Sequence, residues 1–244
     1  MRRSWHVVAA VVLAGAVSGC GVVDDLRATG FSRQSGLEIA TAASEAMADV
    51  TSMRLTGQLR VNGNPIVLDL SLGDRTCTGS MRFDKGHFAV RRVGGRAWVK
   101  GDATAFSRIA STPLSAAATA QLSTTWIPAD DEAILGLCDL DRYLESFSLS
   151  GSEQGGSGKG KGKGKDEAIS FDDVTVGEET TQDGDRVVEV TTTPTETSWV
   201  LSEAPHYVIR VEDRTPRDGG FLNLSEFNRD VHVEAPRGKD VLRP

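Results

Sequence analysis

Few side chains in this chain of 244 residues have types and spacings that could do chemistry, and three of them are cysteines. Cys20 follows Arg2 and Arg3, an apolar run over Val7–Val17 and the small pair Ser18-Gly19. A positive start, a short apolar stretch and a small-residue cleavage site make a secretory leader over residues 1–19. The apolar run is too short for a comfortable membrane-spanning helix. Small residues at 18 and 19 before Cys20 match a bacterial lipobox, in which the cysteine thiol takes a diacylglycerol and becomes the mature N-terminus. The alternative is an ordinary secretory peptide that ends near a cysteine. Two acyl chains on one residue are enough for stable anchoring, whereas one is marginal. Cys77 and Cys138 remain, and an even pair in an oxidising extracytoplasmic space reads as one disulfide.

The other reactive groups lack company. His6, His87, His206 and His232 stand singly, whereas a metal site needs several ligands at close spacing. Asp130-Asp131 and Asp172-Asp173 sit beside a helix start and a strand start, where capping and turn formation account for them. Gly158-Lys159 superficially matches a phosphate-binding loop. Glu153 stands where the first glycine belongs, and Gly160 follows the lysine where Ser or Thr is needed. No nucleophile elbow, zinc-protease motif, dinucleotide fingerprint or CxxC pair occurs. The reading is a non-enzyme with no cofactor and no metal. The net charge of −7 deepens when the leader, with its two arginines and no acid, is removed. With 6% aromatics, such a balance argues against nucleic acid and against charge-driven adhesion to anionic lipid. Membrane contact is expected from the anchor.

The elements that must carry any site centre on Met53–Lys100. Met53, Leu55, Leu59 and Val61 share one parity, then Ile66, Leu68, Leu70 and Leu72, then Cys77, Met81 and Phe83. Asn62-Gly63-Asn64-Pro65, Asp84-Lys85-Gly86 and Gly94-Gly95 punctuate the pattern. A period of two broken by such turns predicts an antiparallel meander with one buried face. Before it, Gly21–Gln34 reads as a flexible tether, and Ser35 caps a helix running to about Asp49. That helix carries a narrow apolar stripe of Leu37, Ile39, Ala40, Ala43 and Met47 among others. After the meander, Ala116–Leu122 suits a short helix. Ala133, Ile134, Leu137, Leu140, Tyr143, Leu144 and Phe147 make one amphipathic helix, or two with a break near Cys138-Asp139. The run at 151–166 is Gly- and Lys-rich and reads as a flexible loop. Strands resume at Ile169, with Trp199 and Leu201 on one parity and a last short strand at Val231–Val233. Arg237–Pro244 reads as a polar, frayed tail. Strands, helices and strands again predict an α+β domain, one large curved antiparallel sheet with its helices gathered on one side.

At this point the chain resembles the actinobacterial LppX/LprG-type lipoproteins, which share a fold with the LolA/LolB carriers. The resemblance rests on the lipobox at Cys20, on the small-residue helix leading into Val50–Gly57, and on the Arg92–Gly101 hairpin with Thr125-Trp126-Ile127. It continues in Ala204–Arg210 and in the closing Leu222–Val233 segment before Ala235-Pro236. It covers residues 35–236, and the Gly/Lys run departs from it. The resemblance implies a single LolA-like domain: a half-barrel sheet wrapped over helices, enclosing an apolar cavity for acyl chains. It also implies transport of a lipid or glycolipid in the cell envelope, from the extracytoplasmic face of the cell membrane. No catalytic residue transfers with it. The expected cavity wall is Leu55, Leu59, Leu68, Leu70, Met81 and Trp199, and the protein is expected to be a monomer. A solid-cored structural or interaction lipoprotein is the competing reading, since leucines lining a cavity and leucines filling a core look alike in sequence.

Overall fold

Alternation along the sequence becomes one ladder in space. The computed structural model describes residues 29–109, 115–129, 132–147 and 174–242. The leader, Cys20 and the Gly/Lys-rich run at 151–166 lie outside the described residues. Strands β1 (Ser52–Val61), β2 (Asn64–Gly73), β3 (Thr76–Phe83), β4 (Gly86–Val93) and β5 (Arg96–Gly101) form an antiparallel meander, which β6 (Ile127–Pro128) extends. A second meander comprises β7 (Thr175–Gln182), β8 (Asp185–Thr191), β9 (Glu196–Leu201), β10 (Val208–Asp213) and β11 (Gly220–Ser225). The two join where β1 pairs with β11, giving one unclosed sheet of 11 strands in the order β6-β5-β4-β3-β2-β1-β11-β10-β9-β8-β7. Asn62 and Asp183 take φ values of 53° and 52° at the tightest turns, a conformation their side chains tolerate.

Antiparallel register sorts every side chain to one of two faces. Leu224, Leu55, Leu70, Gly79, Val90 and Val99 lie in one cross-strand row. The helices cover this face, and glycine lets it curl inward. At Gly79 and Gly220, with φ of 155° and 153°, a Cβ would run into the carbonyl oxygens of Asp69 and Gln58 on the adjacent strands. Side chains there would push the strands apart and flatten the sheet.

The first helix, α1 (Gly36–Ala48), begins at a reciprocal cap: the Ser35 hydroxyl accepts from Glu38 N–H at 3.3 Å, and the Glu38 carboxylate accepts from Ser35 N–H at 2.8 Å. Its buried stripe is Ile39, Ala43 and Met47. Leu37, expected in that stripe, is 48% exposed, because two residues from Ile39 is the far side of a helix. Asp102 caps α2 (Ala103–Ile109) by accepting from Ala105 N–H at 2.7 Å, a helix that the Ala/Ser/Thr composition did not reveal. Next come α3 (Ala116–Thr124), α4 (Glu132–Leu137) and α5 (Leu140–Glu145). The break between the last two falls at Cys138-Asp139, and Cys138 is bonded to Cys77 with the Cα atoms 5.4 Å apart. Arg92, directly opposite Cys77 in the sheet, donates to the carbonyls of Leu135 at 3.2 Å and Cys138 at 2.8 Å. A cation on the last carbonyls of a helix completes bonds that the helix cannot make itself. The disulfide and Arg92 therefore pin one helix end to one strand.

The first and last of the described residues hold to the sheet more tightly than the sequence suggested. The expected tether is corrected over residues 29–34. Thr29 donates through its N–H and its hydroxyl to Glu179 at 3.1 Å, and Phe31 is buried with its ring stacked 4.0 Å from that of His206. One phenylalanine in a polar run carries no periodic signal. The frayed tail is corrected too: Trp126 N–H donates to Asp240 O and Leu242 N–H to Trp126 O, both at 2.8 Å. Between them, Asn228 N–H donates to Ser52 O at 2.8 Å and Arg91 to Glu234 O at 3.3 Å. Residues 226–242 thus form a strap over the outer face, and 231–233 join no ladder, contrary to the expected strand.

The N-terminal attachment depends on pH with a defined sign. Burial alone would raise the Glu179 carboxyl, but bonds from Arg186 at 2.7 Å and from Thr29 outweigh it and hold the carboxyl below its ordinary value. A depressed carboxyl stabilises the fold above its unfolded pKa and loses that contribution as pH falls through the folded one. Acidification below the ordinary carboxylate range should therefore release Thr29 and Phe31 before the sheet unfolds. Hydrogen exchange at the Thr29 amide against pH reads this, and Glu179→Gln should make its protection low at every pH. Protection that persists unchanged into acid would contradict it.

Candidate functional site

Five of the six residues expected to wall a cavity come to the helix-covered face. Leu55 and Leu70 share one row, Leu68 and Met81 the next with Gly57 and Phe88, and Leu59 the next with Ile66 and Phe83. Trp199 does not join them. It pairs with Arg210, which pairs with Asn223, which pairs with Thr56, a position alternating with Leu55. On that outer face the Arg210 guanidinium stands 5.4 Å from the Trp199 ring and 4.5 Å from the Phe221 ring. Asn223 at 2.9 Å and Glu212 at 3.1 Å hold it there. The alternation of β9 is unbroken against β8, with Trp199 opposite Glu189, so choosing its face by apolar character failed at this strand. Sequence reasoning also missed Phe88 and Leu222 as members of the concave face, and it placed Ile66 on the buried parity without naming it in the cavity wall. Their alternation was visible, but their row depends on pairing partners far along the chain.

The concave rows differ in how they are filled. At one end Leu55, Leu70 and Leu72 are at most 1% exposed and pack with Ile39, Met47 and Leu140 into a single apolar cluster. Beneath α2 a second cluster forms from Phe88, Ala105 and Phe106, with Met81, Phe83, Leu122 and Ile127 against it. The Phe88 and Phe106 rings meet edge to face with centroids 5.1 Å apart. Leu59, Ile66 and Leu68 belong to neither cluster. Nearby, α3 is built from AAATAQLST and buries none of its side chains. Beyond the first cluster the concave positions Gly57, Leu59, Ile66, Leu68 and Gly220 carry no charge, with Leu68 only 4% exposed and Leu59 and Ile66 half-buried. Such a stretch can hold hydrocarbon, and it offers no nucleophile, acid or base. Among the described residues no group of three His, Cys, Asp or Glu side chains could hold a metal ion.

A separate cleft of about 200 Å³ lies on the opposite face, beneath the strap. Arg54, Glu226, Arg229, Asp230 and His232 line it together with the apolar Met53 and Val231, so it is mixed in character where the concave face is apolar. Among the described residues no helix is long and apolar enough to cross a membrane.

The architecture defines a class: one unclosed, curved antiparallel sheet with its helices on the concave side. LprF from Mycobacterium bovis has this fold, with a TM-score of 0.53 and 11% identity over 83% of this chain and 97% of that one. The lipoprotein LppX from Mycobacterium tuberculosis aligns with a TM-score of 0.48 and 14% identity over 82% of this chain and 98% of that one. An uncharacterized conserved protein from Thermus thermophilus aligns with a TM-score of 0.35 and 11% identity over 86% and 100%. No protein-family profile matches the chain, and no curated protein matches it in sequence. The resemblance read from the sequence thus holds at the level of the fold.

Proposed function

We propose that this chain is an extracytoplasmic lipoprotein, anchored in the cell membrane by diacylated Cys20, whose LolA-like domain binds the acyl part of a lipid or glycolipid and carries it within the cell envelope. The observation that carries the reading is the division of the concave face. Leu59 and Ile66 are half-buried and belong to neither apolar cluster, on a stretch of that face that carries no charge. Burial of an acyl chain contributes about 0.8 kcal/mol per methylene, so a few methylenes are enough to retain one. The fold shared with LprF supports the reading, and so does the lipobox, which supplies the anchor that the described helices do not.

The test is uptake of a fluorescent fatty-acyl probe by the purified chain. Leu68→Trp should lower uptake about tenfold or more, the equivalent of roughly two displaced methylenes, while Trp199→Ala on the outer face leaves it unchanged. Cys20→Ala should move the protein out of the membrane fraction without altering uptake. Equal uptake by the Leu68→Trp variant and the native chain would contradict the reading.

A further inference from the structure

The cleft beneath the strap has a floor and a roof that the fold holds in place. Arg54, Ser71, Thr78 and Arg91 make one cross-strand row on the outer face of β1 to β4. Ser71 and Thr78 stand directly opposite each other in the middle of that row, and both line the cleft. Neither hydroxyl bonds to another of the described residues. Arg54, beside them, is fixed by three bonds: Nε and Nη2 donate to the Asp69 carboxylate at 3.0 Å, and Nη1 to Glu226 at 3.3 Å. A guanidinium carries five N–H groups, so two donors remain beyond those three bonds.

The roof, residues 229–232, is pinned on both sides. Before it, Asn228 N–H donates to Ser52 O at 2.8 Å, the Asn228 side-chain oxygen accepts from Thr51 N–H at 2.7 Å, and its amide nitrogen donates to the Tyr207 hydroxyl at 3.0 Å. After it, Arg91 donates to Glu234 O at 3.3 Å with its guanidinium 4.7 Å from the Trp126 ring. Val231 lies against Gly73, where a Cβ would stand 3.3 Å from the Val231 Cβ.

Charge in the cleft is balanced. Arg54 and Arg229 face Glu226 and Asp230, and neither Arg229 nor Asp230 is held in an ion pair among the described residues. A ligand there meets guanidinium donors, carboxylate acceptors, the His232 ring and two hydroxyls that can do either. Met53 and Val231 supply apolar surface beside them. The volume of about 200 Å³ is that of about seven water molecules in the liquid, which sets the ligand below drug size.

We propose that this cleft binds one neutral sugar unit. Each sugar hydroxyl donates and accepts at once, which suits a site that mixes fixed donors, fixed acceptors and free hydroxyls, while the C–H groups of the ring suit Met53 and Val231. A phosphate would have Glu226 and Asp230 against it, and an ammonium group would have Arg54 and Arg229. The site is on the opposite face from the apolar concave stretch and does not rest on lipid carriage.

Titration of the purified chain with the methyl glycosides of glucose, galactose and mannose, followed by saturation-transfer NMR, tests it. The expected result is saturable binding of at least one of the three. Ser71→Ala with Thr78→Val should lower that affinity about tenfold, the loss that two uncharged hydrogen bonds produce. Neither hydroxyl serves the fold, so the thermal midpoint of this variant should stay where it is. Arg229→Ala in the roof, whose side chain is exposed, should weaken binding independently, and Thr180→Val on β7 should leave it unchanged. A chain that binds none of the three glycosides, or binding that ignores both the hydroxyl pair and Arg229, overturns the proposal. Tighter binding of glycine or of inorganic phosphate also overturns it, because the cleft would then select a zwitterion or an anion. A chain that takes up the acyl probe and binds no glycoside leaves the carrier reading standing and removes this one.

Discussion

Replacing Cys77 and Cys138 together with alanine lowers the unfolding free energy by about 4 kcal/mol. The bond closes a loop with a sequence separation of 61, and cross-linking removes that loop's conformational freedom from the unfolded chain. Both cysteines are fully buried, so alanine also leaves small voids beneath the sheet. Against a typical domain stability of about 5–15 kcal/mol, this is a large share. The native arrangement of α4 and α5 should survive at low denaturant, since Arg92 still donates to the carbonyls of Leu135 and Cys138. Urea denaturation of the double variant beside the native chain reads the difference, with a steeper slope in the variant because its unfolded chain is less restricted. A loss below about 1 kcal/mol would mean that the unfolded chain is already restricted in this loop.

The second large effect separates the fully buried and half-buried positions of the concave face. Leu70→Ala should cost about 2–5 kcal/mol, because Leu70 is fully buried in the cluster under α1 and truncation leaves a cavity with no means of collapse. Leu59 is also leucine, also on the concave face and also centrally placed, but it is half-buried and belongs to neither cluster. Leu59→Ala should cost about 1 kcal/mol or less, in line with its smaller buried area. The comparison uses one chemical change at two positions four strand residues or fewer apart in the ladder, so differences in unfolded-state behaviour largely cancel. Equal costs would mean that the face is packed uniformly, as the solid-cored reading requires.

The first meander was legible almost residue by residue. Alternation from Met53 to Phe83 is strict, its turns are marked by Asn-Gly and Asp-Lys-Gly, and every pairing is with a sequence neighbour. The disulfide was legible for a different reason, because only two cysteines remain once Cys20 is assigned. The second meander was harder. Bulges between Val176 and Glu179 and between Val208 and Arg210 reset the parity that sequence reading depends on. Trp199 was assigned to the concave face for a different reason, its apolar ring, whereas it lies on the outer face beside the Arg210 side chain. The closing pair β1–β11 joins residues more than 160 positions apart, and no local signal encodes it. The docked ends escaped notice for a related reason. Phe31, Val241 and Leu242 are isolated apolar residues whose burial depends on a surface built elsewhere in the chain. The division of the concave face into two clusters was not legible at all, since it depends on which leucines meet a helix and which do not.

The most direct measurement is native mass spectrometry of the protein purified from its own host, with the covalent diacyl anchor accounted for. The predicted result is an additional lipid mass that dissociates on gentle activation and is diminished in the Leu68→Trp variant. The contradicting result is a folded protein at its acylated mass alone that also takes up no fluorescent acyl probe.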